Sequence, residues 1–408
     1  VPAWRSARSA GTPAGGQGVE RTSRVASALA NVGASPATVS GVRMALEAGR
    51  GHTAVPVRST IMGTALGVAT IAGILSFTGS IGHLFDRPPL YGWNWDVQVG
   101  SAFSPDLAAV GERLASDPSV AEVAVAAQAR FQINGQPVDT LGIEPVRGAI
   151  EPTVVEGRAP RAPGDILLGT RTLRDLDLAV GDTVPVTFAN RTLHLHVVGR
   201  GVMSEFAGAA RLGEGASVTL AGLRQLVPDA VRNLVLVRAY AGSDTPALVD
   251  ELQVMYGAEG VYLPTKPSDL ADLERIGGLP FAVAGLMAVM AMTTVAHMLA
   301  TLVRRRRRDL AVLKVLGFTR SQVVTTVAWQ SSTLALVAGV LGLPLGIAAG
   351  RTAWEVFADR LGVPPRPVTP LVAVALFVPA LLVLANLIAV LPGLLAARAR
   401  PGPALREE

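Results

Sequence analysis

The sequence predicts an α-helical membrane protein with four transmembrane helices and an α+β extracytoplasmic domain inserted after the first. Three observations predict it. Four runs without Asp, Glu, Lys or Arg, at 59–85, 276–303, 321–350 and 367–397, each exceed the roughly 20 residues that cross a bilayer. Between the second and third stands RRRRRDLAVLKVLGFTR, residues Arg304 to Arg320. Five arginines at mid-membrane would cost about 2.5–3.5 kcal/mol each, so this stretch lies in water, and the positive-inside rule puts it in the cytoplasm. Charge sets the orientation of the rest: residues 1–58 carry net +5, residues 303–322 net +6 and residues 86–278 net −8. A composition of 50% hydrophobic and 16% charged residues, with mean hydropathy +0.42, agrees.

The elements follow in order. Residues 1–34, rich in Gly, Ala, Ser and Arg at their start, read as a largely disordered cytosolic linker. No apolar stretch of signal-peptide kind precedes Ser59, so the first membrane helix is expected to serve as the anchor. Over 35–58, Ser35 suits an N-cap and Pro36 the first helical position, while Val39, Val42 and Leu46 recur at helical spacing beside Arg43 and Arg50. That pattern fits an amphipathic helix on the inner membrane surface and fits a connector helix equally. The external domain spans 86–275. In it Trp93–Gly100 reads as a strand, Asp106–Ala115 as a helix, Phe131–Leu141 as a hairpin around Asn134-Gly135, and Thr183–Phe188 with His194–Val198 as a strand pair. Leu234–Arg238 reads as a strand and Pro246–Tyr256 as a helix. The spans at 321–350 and 367–397 flank a short external loop at 351–366, and 398–408 is a cytosolic tail.

Chemistry is not legible in the chain. It has no cysteine, no GxSxG and no HExxH, and its five histidines bring only His194 and His196 close, without a third ligand. Lys266 and Lys314, the only lysines, do not follow a phosphate-cradling glycine loop. The expectation is a protein that is no enzyme, with no catalytic, cofactor-binding or metal residue, and without nucleic acid as partner. Energy for any work on a substrate then comes from another chain or from an ion gradient, and for a gradient the spans offer only His297, beside the boundary residue His83, as an ionisable group.

The basic stretch has local grammar. Asp309 follows Arg304, Arg305, Arg306, Arg307 and Arg308; Leu310, Leu313 and Leu316 share a helical face; and Gly317 can end that turn in the left-handed region. Thr319 with Gln322 makes a capping box for the next helix. The product is a cytosolic elbow at 304–320 with an apolar face, suited to docking a partner protein; the plainer reading is a stop-transfer cluster before a helical hairpin. Gly63/Gly67 and Gly342/Gly346/Gly350 are small-residue steps that let membrane helices approach closely.

RRRRDLAVLKVLGFTRSQV resembles the loop of the FtsX-like and MacB-type permeases of ABC transporters, with Leu313, Lys314, Leu316, Gly317 and Thr319 matching and Asp309 where glutamate is commoner. GRAPRAPGDILLG (Gly157–Gly169) and LDLAVGDTVPV (Leu176–Val186) resemble that family's periplasmic core domain. The resemblance implies a multi-pass plasma-membrane permease whose elbow, Asp309, Leu313, Lys314, Leu316, Gly317, Phe318, Thr319 and Arg320, is moved by a cytosolic ABC ATPase dimer that binds the ATP, this chain holding no cofactor. It implies a second permease unit, identical or an upstream half of a tandem chain, contact with membrane lipids, and an extracytoplasmic protein as a further partner. Mechanotransmission that exports a hydrophobic or amphipathic substrate is one implied function. Signalling to a cell-wall hydrolase without transport is the other.

Overall fold

A computed structural model describes residues 23–47, 57–203, 211–275 and 317–398, with isolated positions between 282 and 297. The expected second span, 276–303, most of the elbow, the linker and the tail thus lie largely or wholly outside the described residues. Three described helices are long and apolar enough to cross a membrane: α3 (Val57–Phe85), α9 (Arg320–Leu361) and α10, apolar over Leu371–Val390 and helical over Leu371–Arg398. The chain divides into two compact units, which share α3, α9 and α10 between them.

One unit holds α1 (Arg24–Asn31), α2 (Pro36–Leu46), α3 as far as Val68, α9 as far as Leu343 and α10 from Ala375. Ser35 caps α2 as expected, its Oγ accepting from the Thr38 N–H at 3.2 Å, with Pro36 opening the helix. Helix α2 does not serve only as a surface helix: Ala37, Gly41, Val42, Met44 and Ala45 are buried within the unit.

The other unit contains the external domain. Its elements are β1 (Val97–Val99), α4 (Ala108–Leu114), β2 (Val120–Ile133), β3 (Gln136–Arg147), β4 (Thr153–Gly157), β5 (Asp165–Gly169), α5 (Thr170–Asp175), β6 (Thr183–Phe188) and β7 (Arg191–Val202). They continue with β8 (Ala216–Thr219), α6 (Leu220–Leu226), β9 (Leu234–Ala239), α7 (Thr245–Tyr256), β10 (Val261–Tyr262) and α8 (Ser268–Arg275). One mixed sheet runs β10-β1-β9-β2-β3-β8-β5-β7-β4, and β6 bridges β2 and β7. The Asn134-Gly135 turn has φ +49° and +79°, the two positive values a type I′ hairpin needs, and β2 and β3 pair from Ile133↔Gln136 onward.

Around β2 and β9 both faces of this sheet are buried. Val123 and Val125 of β2 and Val235 and Val237 of β9 join a core under α4, α6 and α7. Ala124 and Ala126, with Leu234 and Leu236, turn to a second core made with Leu84 of α3, Trp93, Trp95, Leu270 of α8, and Trp354 and Ala358 of α9. Period-two alternation therefore sorts one strand between two cores, and the alanines leave room for the indoles.

Two expectations are corrected here. Only Val97–Val99 of the stretch Trp93–Gly100 is strand, because Trp93 and Trp95 are drawn into the second core. Residues 351–361 continue α9 instead of starting an external loop. Trp354, Phe357, Ala358 and Leu361 keep an apolar helical face among Arg351, Glu355 and Asp359, and Gly362, at φ +84°, ends the helix.

Candidate functional site

The elbow begins the site. Gly317 has φ +96°, a left-handed value that glycine adopts without steric penalty. Next to it the capping box forms as the spacing predicts: the Thr319 N–H donates to Gln322 Oε1 at 2.9 Å and the Gln322 N–H to Thr319 Oγ1 at 3.3 Å. Arg320 opens α9 and is exposed. Arg304 to Arg308, Asp309, Leu313, Lys314 and Leu316 lie outside the described residues. Phe318 is half-buried, packed on the cluster of Met44 from α2, Val323 and Val327 from α9, and Ala389 from α10. Phe318 thus packs on a cluster to which α2, α9 and α10 all contribute.

The contact of α2 with α9 depends on Gly41, where a Cβ would lie 2.5 Å from the Thr326 carbonyl oxygen and 2.7 Å from Trp329 Cβ. Below it, α9 and α10 are tied by amides and hydroxyls that sequence reasoning did not single out. Asn386 Nδ2 donates to Ser332 Oγ at 2.8 Å, and Ser331 Oγ stands 3.3 Å from Asn386 Oδ1. The signal was available: Asn386 is the lone amide in an uncharged run, and in hydrocarbon such a group finds a partner on a neighbouring helix.

The glycines of α9 form a seam with α3. In the first unit a Cβ at Gly342 would stand 2.5 Å from the Ala65 carbonyl oxygen and 2.8 Å from Val68 Cβ. In the second, Cβ atoms at Gly346 and Gly350 would overlap the carbonyl oxygens of Ala69 and Gly73. The α3 side of the seam is therefore Ala65, Val68, Ala69, Ala72, Gly73 and Ser76, whereas Gly63 and Gly67 are half-buried.

In the external domain the two motifs fold into tight corners. Asp165, at the start of the fully buried β5, accepts from Arg158 Nη1 at 2.6 Å and from the Arg161 and Ala162 N–H groups at 3.0 Å each. Partial burial works to raise its pKa, but these hydrogen bonds and the Arg158 charge outweigh it and hold the carboxyl down at about 2. In the second motif Asp182 Oδ2 accepts from the Ala179 N–H at 2.7 Å, and Gly181 has φ +107°. Helix α5 joins the two motifs. Its Arg174 and the Arg200 of β7 both reach Asp359 of α9, at 3.8 and 2.8 Å, and its Arg171 reaches Asp269 of α8 at 3.2 Å. His194 and His196 are exposed on one face of β7, and no group of three metal-ligating side chains occurs among the described residues.

The family model described as FtsX-like permease C-terminal matches residues 281–401, and that described as MacB-like periplasmic core domain matches residues 59–254. No curated protein matches the chain. Among solved structures, the periplasmic region of MacB from Actinobacillus actinomycetemcomitans is 11% identical, covering 47% of this chain and 97% of that one at a TM-score of 0.31. The extracellular domain of the noncanonic ABC-type transporter YknZ from Gram-positive bacteria is also 11% identical, covering 42% and 99% at 0.28. The two matches together take in most of the chain, the core-domain motifs inside the one and the elbow inside the other, and the chain belongs to the FtsX/MacB-type permeases of ABC transporters.

Proposed function

We propose that the chain is the permease subunit of a plasma-membrane ABC exporter, in which a separate cytosolic ATPase dimer binds and hydrolyses ATP and this chain performs no chemistry of its own. Closure of the ATPase moves the elbow, and the motion drives a hydrophobic or amphipathic substrate outward. The observation that carries the reading is α9. It is a single helix of 42 residues that starts at the capping box and ends among the residues of the external domain's second core. At about 1.5 Å per residue such a helix is longer than the roughly 30 Å hydrocarbon layer, so this one element, with Pro344 inside it, is long enough to serve both sides of a membrane. Four spans enclose no pathway alone, so a second permease unit supplies the opposite wall.

The test is reconstitution with the ATPase in vesicles, followed by mass spectrometry of lipids and peptides that leave the membrane. ATP-dependent release is expected. ATP turnover that shifts the external domain but releases nothing would replace export by signalling to an extracytoplasmic protein.

A further inference from the structure

Helix α9 ends in a built seat. Leu361 and Gly362 meet the domain backbone to backbone: a Cβ at Gly362 would stand 3.1 Å from Gly213 Cα and 3.2 Å from Thr170 Cβ, and one at Gly213 would stand 3.2 Å from the Leu361 carbonyl oxygen. Gly213 is in turn held by α5, since the Arg171 N–H donates to its carbonyl oxygen at 2.8 Å. Within the last turn of the helix, Asp359 meets charge from two directions. Arg200 Nη1 donates to its Oδ1 at 2.8 Å, and Arg174 Nη2 donates to its backbone carbonyl at 3.3 Å. Arg200 Nε also lies 2.9 Å from Glu156 Oε2 of β4, a charge contact whose N–H does not point at the carboxylate.

Apolar packing seats one face of α9, with Trp354 and Ala358 buried in the second core. Phe77, Trp354 and Phe357 stack edge-on or tilted at 5.6–6.0 Å, a contact that resists separation more than rotation. Asp359 lies off that stack and contacts α5 and β7 on one side of the helix, so the two elements meet α9 through this residue as well as through its apolar face. Helix α5 follows β5 without a break, and β5 pairs with β7 in the sheet.

We propose that Asp359 is the positioning residue through which movement of α9 enters the external domain, with Arg174 and Arg200 as its two receivers. This role rests on the reading of the chain as an ATP-driven permease. The joint itself is a property of the chain alone. Exposed ion pairs contribute little to stability, so the joint acts together with the Gly362–Gly213 seat and the apolar face of α9.

The experiment uses the full chain, which has no cysteine of its own, with spin labels on cysteines introduced at Ala353 and Gln136. A narrow distance distribution is expected. Asp359→Lys should widen it at least twofold by setting three cations together, and Asp359→Lys with Arg200→Glu should restore it by re-forming the closer pair with its charges exchanged, which a general loss of fold would not do. An unchanged width in Asp359→Lys, or no recovery in the double variant, overturns the proposal. With the ATPase bound, ATP should alter hydrogen exchange in α9, β5 and β7 of the parent but in α9 alone in Asp359→Lys; transmission to β7 equal to the parent's overturns it as well. If ATP alters exchange nowhere in the parent, the permease reading fails, and the distance widths decide the joint by themselves.

Discussion

Asp165 shows how one side chain holds a motif. A folded pKa of about 2, against an ordinary value of about 3.9 for aspartate, corresponds to roughly 2–3 kcal/mol of stability. Because the folded pKa is depressed, that contribution is complete above pH of about 4 and is lost as the pH falls toward 2. Asp165→Asn should therefore lower the melting temperature of the external domain at neutral pH and flatten its dependence on acid over that window, both read by near-ultraviolet circular dichroism of the full chain. Phe318 poses a different question. Its half-buried place on Met44, Val323, Val327 and Ala389 means that Phe318→Asp should destabilise the unit containing α2, at a cost of about 1–3 kcal/mol. Leu316→Asp tests docking itself, and loss of ATPase stimulation with unchanged melting is the expected result; co-purification and stimulation equal to the parent's would remove the elbow as the contact.

At the scale of elements, glycines on one helix differ in kind. Gly346 faces the Ala69 carbonyl with no room for a Cβ, while a Cβ at Gly339 would meet only Leu381 Cδ2 at 3.6 Å, an ordinary contact. Gly346→Ala should push α3 from α9 and lower stability in detergent, whereas Gly339→Ala should raise it by as much as about 1 kcal/mol through helix propensity. Equal effects from the two would refute the seam. The same elements show what a sequence discloses. The Asn134-Gly135 hairpin, the Ser35 cap and the Thr319/Gln322 box were legible because each depends on neighbours a few residues apart. The last turns of α9 were not, since Arg351, Glu355, Asp359 and Arg360 hide a face whose apolar members are chosen by distant partners such as Phe77. The α3 side of the seam was missed for a related reason: alanines and a serine serve as well as Gly63 and Gly67 where a glycine opposite supplies the space. The ionic joint at Asp359 could not have been read at all, because its receivers lie at Arg174 and Arg200.

For the whole molecule the governing quantity is charge on either side of the membrane. Residues 1–58 and 303–322 carry net +5 and +6, and 86–278 carry −8. Since short flanks obey the positive-inside rule better than long domains, the two basic segments decide the orientation and the acidic domain follows. Gln136, exposed at the hairpin tip, and Ser321, exposed at the start of α9, are expected on opposite sides of the membrane if that orientation holds. Single cysteines at these positions distinguish the arrangements cleanly, because the parent chain has none to react. In intact cells an impermeant maleimide should label Gln136→Cys and spare Ser321→Cys until the membrane is opened. The reverse pattern would put the elbow outside, away from any cytosolic ATPase, and would undo the proposed coupling along with the topology. Labelling of both in intact cells would show that 321–350 does not re-enter the membrane where its uncharged run begins.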